Sequence, residues 1–176
     1  MTITISGATM SGGIVFASPL FENGLYRRRY SGYFADDVNW FATATLVDSA
    51  VNTSPINDGF DGDGFSVQWL GYFLATTTET YTFYTTSDDA SYLWIGSTAL
   101  QNFTTSNATV NNGGLHAPVE QSGTSSLVAG TYYPIRMQMG ELGGGDVMEV
   151  RISTPTIAKT TDLSPYIFYN VYTNGF

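Results

Sequence analysis

No cysteine occurs among the 176 residues, so disulfides, thiolate metal ligands and cysteine nucleophiles are excluded, and the redox compartment stays open. Charge is scarce at 12%, and basic charge is scarcest, with six Lys and Arg against fifteen Asp and Glu. The formal charge of -9 repels a polyphosphate, which argues against nucleic acid as a partner. Long apolar runs are missing, and none approaches the roughly 20 residues of a membrane span. The opening MTITISGATMSGG has neither the positive n-region nor the continuous apolar stretch of a Sec signal peptide, so it reads as mature structure. Gly-x-Ser-x-Gly, His-Glu-x-x-His and phosphate-loop signatures are absent as well, which points away from an enzyme.

What remains is aromatic and glycine-rich. Twelve Tyr, eleven Phe and 19 Gly suit pleated, half-buried surfaces punctuated by turns, and no helix-forming residues gather at 3.6 spacing over three turns. The expected fold is all-β, an antiparallel β-sandwich with long loops at one end. The length fits a single domain that buries roughly two thirds of its surface without staples.

Along the chain, residues 2–5 alternate and residues 13–17 are small and apolar, which suggests an extended arm or edge hairpin over residues 1–19. A turn at Asn23-Gly24 leads into a strand over 25–34, where Arg27, Arg28 and Arg29 lie among tyrosines as alternating solvent-facing charge. Asp36 and Asp37 favour opening a single helical turn before Trp40. Residues 52–64 are turn chemistry. In FSVQWLGYF, Phe65, Val67, Trp69 and Phe73 share one face by the period of two, with Ser66 and Gln68 on the other. Strands follow over 80–86 and 91–96, and the three together read as a meander. Residues 101–127 form one long polar loop, of the kind that is functional or disordered. The strand YYPIRMQM over 132–139 then has 147–153 as its expected partner across the glycine-rich link. The tail, 156–176, is aromatic to its last residue, and is expected to dock on this domain or on a partner.

Three blocks and the spacing between them, GLYRRRYSGYF at 24–34, GFSVQWLGYFLATTTETYTFYTTSDDASYLWIG at 64–96 and LVAGTYYPIRMQMGELGGGDVMEVRI at 127–152, resemble the PA14 family, in particular its glycan-binding flocculin and adhesin branch. The resemblance spans about residues 20–155. Adjacent carboxylates on a strand point to opposite faces, so Asp88 and Asp89 converge only in a loop or across a cis peptide, and a calcium ion taking 6–8 oxygen ligands would hold them together. In the sugar-binding relatives, the resemblance implies, the adjacent aspartates bind calcium through a cis peptide and two ligand hydroxyls complete the shell. By position Asp88 and Asp89 are those ligands, Glu141 stands where the branch has Asn, and Gly143 and Gly145 stand where main-chain carbonyls bind. That third carboxylate favours the ion and works against the hydroxyl geometry a sugar requires.

Other residues read more plainly. Asp58, Asp61 and Asp63 lack the position-12 Glu and flanking helices of an EF-hand, which leaves turn chemistry. His116, solitary in its loop, reads as a surface residue rather than a ligand, and Trp40, Trp69 and Trp94 as core. With Asn107, Asn111 and Asn112, His116 belongs to the stretch expected to tune ligand selectivity. Two functions remain open at this point: a calcium-dependent module binding a glycan or host-surface polysaccharide, and a virion structural protein, a capsid decoration or tail component contacting other virion proteins. Either is compatible with an extracellular or virion-surface location and with self-association.

Overall fold

The computed structural model describes residues 3–5, 8–10, 20–56 and 62–176. In chain order the elements are β1 (Ile3–Ile5), β2 (Ala8–Met10), β3 (Phe21–Asn23), β4 (Leu25–Ser31), a 3₁₀ turn (Trp40–Ala42), β5 (Thr45–Asn52), β6 (Phe65–Leu74), β7 (Glu79–Asp88), β8 (Ala90–Ile95), α1 (Ser97–Leu100), a second 3₁₀ turn (Thr105–Asn107), β9 (Val110–Asn112), β10 (Val119–Leu127), β11 (Tyr132–Glu141), β12 (Val147–Ser153) and β13 (Ile167–Asn170). The antiparallel all-β expectation holds. β1 and β2 pair as a hairpin, whereas residues 13–17, the other half of the expected arm, lie outside the described residues.

Two sheets carry the rest. The larger runs β3-β13-β6-β11-β8-β9, with β4 between β5 and β6, and the smaller is β10-β7-β12. Between them lies the main core, where the alternation of β6 delivers Phe65, Val67, Trp69 and Phe73, β7 delivers Tyr81 and Phe83, β11 delivers Ile135, Met137 and Met139, and β12 delivers Met148, Val150 and Ile152. At roughly 1.5–3 kcal/mol for each large side chain taken out of water, this layer dominates the stability. Leu163 and Ile167, from the tail, are buried in the same core.

Three pairing expectations change. β6, β7 and β8 are not a meander, because β7 belongs to the small sheet while β6 and β8 both pair with β11. For the same reason β11 does not pair with 147–153, which instead lies against β7. Alternation says which side chains point inward and leaves the neighbour open, and here the chain crosses between sheets after β6, β7, β9, β10, β11 and β12. The long polar excursion is also not a loop. It contains β9, and a nine-residue edge strand, β10, that pairs with β7 along its whole length. Its Ser, Thr and Gln side chains suit an exposed edge, and Gly123 is required because a Cβ there would lie 1.7 Å from the Thr109 carbonyl oxygen.

A second, smaller core sits on the outer face of the large sheet. Tyr30, Tyr92 and Trp94 pack there against Phe34, Val38 and Phe41 of the covering segment 33–44. The helical turn expected from Asp36 begins later, at Trp40, and Asp37 accepts the Asn39 backbone N–H instead (3.0 Å). This cover also buries Ser66 and Gln68, on the opposite face of β6 from Phe65. The arginine run is not solvent-facing alternation either: Arg27 is buried and ion-paired with Asp48 of β5.

Candidate functional site

Two crossings between the sheets lie side by side at one end of the sandwich. β7 ends at Asp88, which pairs with Val147 at the start of β12. β8 begins at Ala90, opposite Gly140 of β11. The Asp88–Asp89 step and the link 142–146 therefore bridge the same pair of sheets. Asp88 and Asp89 are joined by a cis peptide bond, and Glu141 closes β11 beside them. One carboxylate oxygen from each of Asp88, Asp89 and Glu141 lies within 4.8 Å of the others.

The three acids are held differently. Asp89, buried, accepts the His116 backbone N–H on Oδ1 (3.1 Å) and the Leu142 backbone N–H on Oδ2 (3.0 Å). Glu141 is fully buried, and among the described residues neither of its carboxylate oxygens accepts a hydrogen bond of standard geometry. The nearby Gly143 and Asp89 N–H groups act favourably on it, but they are outweighed, and burial followed by the charges of Asp89 and Asp88 raises the Glu141 pKa. Asp88, partly exposed, is raised by burial, then by Asp89, with Asp146 adding to it and His116 opposing. Tyr33, half-buried alongside, is pushed up to about 12 by burial and by Asp36, Asp89 and Glu141. Buried carboxylates whose nearby donors do not outweigh burial and mutual repulsion are unfavourable. A hard divalent cation, which prefers several carboxylate oxygens at short range, fits this donor set.

The surroundings are built around the cluster. Asp36 accepts both the Tyr92 hydroxyl (2.9 Å) and the Gly114 N–H (3.2 Å), which latches residues 113–116 onto the outer core and carries the His116 N–H to Asp89. Gly113 permits this closeness, since a Cβ there would lie 1.8 Å from the Tyr92 hydroxyl. The His116 ring itself faces the Ala117 and Asn112 carbonyls, so its backbone rather than its imidazole serves the site. Asn112 is buried, donating to Ser87 Oγ (2.9 Å) and to the Val119 carbonyl. Asn111 donates to the Thr105 carbonyl. Asn107 accepts from Trp94 Nε1 (3.0 Å), which turns it toward the outer core and away from the carboxylates. Trp69 and Trp94 are fully buried, whereas Trp40 is only partly so.

In the glycine link, Gly143 and Gly145 are exposed, a Cβ on Gly145 would lie 3.8 Å from Asp88 Oδ2, and Gly143 faces Asp63. Asp63 accepts the Gly144 N–H (3.2 Å), while Asp58 and Asp61 lie outside the described residues. One acid escaped the sequence reading. Asp146 carries a buried Oδ2 without a partner among the described residues, and its charge acts on Asp88. The only signal for it was its place as the last residue of the glycine link before β12.

Comparison with known proteins agrees with this architecture. The Epithelial Adhesin 6 A domain from Candida glabrata, solved in complex with Galb1-3GlcNAc, superposes with a TM-score of 0.68 at 18% identity, covering 88% of this chain and 89% of that one. The PA14 sugar-binding domain from an RTX adhesin gives 0.67 at 12% identity, covering 84% and 99%. An anti-sigma factor domain-containing protein gives 0.69 at 20% identity over 85% of this chain, which spans only 49% of that protein. These likenesses establish a shared fold. A search of curated proteins returned no match. Residues 65–154 match the GLEYA domain, a stretch running from the start of β6 past the end of β12 and including every residue of the carboxylate cluster, and the chain belongs to the GLEYA domain family.

Proposed function

We propose that this chain is a non-enzymatic recognition domain that binds carbohydrate through a calcium ion held by Asp88, Asp89 and Glu141, with the Gly143 and Gly145 carbonyls completing the protein's share of the shell. The carrying observation is the buried carboxylate of Glu141, which accepts no hydrogen bond of standard geometry among the described residues, within 4.8 Å of two adjacent aspartates. Bound calcium supplies open coordination positions that sugar hydroxyls occupy. Asp89 is oriented by two backbone amides, so it presents its remaining lone pairs without reorganisation. Glu141 contributes charge from a site closed to bulk water. The stretch with Asn111, Asn112 and His116 flanks the site and tunes selectivity, and Asn107 acts from behind it by holding Trp94. The sugar-bound adhesin and the sugar-binding PA14 domain of like fold support the carbohydrate reading.

Thermal melting in calcium and in chelator tests the metal. Calcium should raise the Tm of the native chain, as mass action requires of an ion bound only by the folded state, and Asp88→Ala should abolish the rise. Equal melting in both conditions would overturn the assignment. A glycan array probed in calcium and again in chelator tests the sugar: signal confined to calcium is expected, and signal indifferent to chelation would refute a calcium-bridged mode.

A further inference from the structure

The outer face of the large sheet holds a cavity of about 260 Å³ whose walls include Arg28 of β4, Arg136 of β11, Phe41 of the covering segment and Phe103. Both arginines point to this face by strand alternation, opposite to the core residues Met137 and Ile135 of β11. Arg136 is only 9% exposed. Its Nε donates to the Ala99 carbonyl (2.8 Å) and its guanidinium lies 4.0 Å from the centroid of the Phe103 ring. Among the described residues its two terminal nitrogens meet no acceptor. Arg28 makes a 5.4 Å contact with the Tyr26 ring and pairs with no carboxylate among the described residues.

This is not for want of acids. The chain carries fifteen against six bases, and Arg27, Arg151 and Lys159 are each paired with one. Arg28 and Arg136 instead confront one another, and burial, with the charge of Arg28, depresses Arg136 to about 10. Two cations beside one cavity, with no counter-charge among the described residues and with aromatic walls, describe a receptor for an anion with an apolar body. A guanidinium presents a planar fork that matches a carboxylate bidentately, and Phe41 and Phe103 supply the surface for a ring or short aliphatic chain.

We propose that this cavity binds a small organic carboxylate, its charge shared by Arg28 and Arg136 and its apolar part held against Phe41 and Phe103. The site lies on another face from the carboxylate cluster and does not depend on calcium.

Calorimetric titration of the full chain in chelator, with benzoate and with its neutral isostere benzamide, tests it. Benzoate should bind saturably, and benzamide at least about tenfold more weakly, as a charge-assisted hydrogen-bond pair requires. Because Arg136→Gln removes the bond to Ala99 and could disturb folding, Arg28→Gln is the decisive variant. It should weaken benzoate about tenfold or more while leaving the near-ultraviolet spectrum and Tm in place. The proposal fails if benzoate gives no saturable response, if benzamide binds equally well, or if Arg28→Gln binds benzoate unchanged. Sulfate displacing benzoate at equal concentration would also overturn it, since the apolar walls would then contribute nothing.

Discussion

Two side chains of β11, five residues apart, are buried with unneutralised charge of opposite sign. Glu141, at the strand's end, sits among carboxylates at the crossing between sheets. Arg136, in mid-strand, sits under the 33–44 cover beside another arginine. Among the other buried charged groups of the described residues, Arg27 is ion-paired with Asp48 and Asp89 is held by two backbone N–H groups. An unpaired buried ion is unfavourable unless its folded environment supplies a counter-charge. Among the described residues, Glu141 and Arg136 are therefore where the molecule is least self-sufficient, one toward cations and one toward anions.

The largest effect that can test this contrast is at Glu141. Glu141→Gln should weaken calcium by more than the about 10–100-fold typical of changes to outer-shell partners, since it removes a carboxylate ligand, and isothermal titration measures it directly. In chelator the same variant should be more stable than the native chain, by on the order of 1 kcal/mol, or about 2–4 °C in Tm for a chain of this size. The sign follows from the raised pKa of Glu141. The folded state holds that proton more tightly than the unfolded chain, so the contribution is fully present below the ordinary carboxylate value of about 4.3, and is lost as pH rises through the raised one. Melting of the native chain in chelator should decline over that window, and Glu141→Gln should flatten the decline. A variant no more stable in chelator than the native chain would mean that the cluster is already relieved.

How much of this was visible beforehand differs between the two places. The strands β6, β7, β8, β11 and β12 follow from alternation, because aromatic and β-branched residues at every second position leave little else to form. Asp88, Asp89 and Glu141 were legible because a family resemblance aligned them, although two of them lie on one crossing and the third on another. The partner of each strand was not legible, since alternation carries facing and not neighbourhood. The Arg136 cavity was hidden for a related reason. Its position on the outer face is a matter of period, but that face is covered only because 33–44 folds back across it, and nothing in FADDVNWFATA announces that.

A smaller effect compares paired with unpaired cations. Arg27→Met removes the partner of Asp48 and should cost about 1–3 kcal/mol in urea unfolding, as loss of a charge-assisted bond does. Arg136→Met exchanges an unpaired buried cation for an apolar chain of similar length, and should fall within about 1 kcal/mol of the native chain, because the relief of desolvation offsets the lost bond to Ala99. Equal losses in the two variants would erase the distinction drawn between them.

The smallest effect uses Tyr33 as a reporter on the acidic end. Its phenol is pushed up to about 12 first by burial and then by Asp36, Asp89 and Glu141, so it ionises after exposed tyrosines, which titrate near 10. Neutralising Glu141 removes one of the negative charges that hold the proton on, while burial and the two aspartates remain. Spectrophotometric titration of tyrosinate should therefore show the late component moving slightly toward 10 in Glu141→Gln. Tyr33→Phe should remove one tyrosine from the late component in both proteins, which separates its contribution from those of the other raised tyrosines, Tyr72, Tyr92, Tyr166 and Tyr169. Arg136→Met, altering charge on the other face of the same strand, should leave the component where it is. A late component indifferent to Glu141 but responsive to Arg136 would reverse the assignment of which buried charge shapes this end of the sandwich.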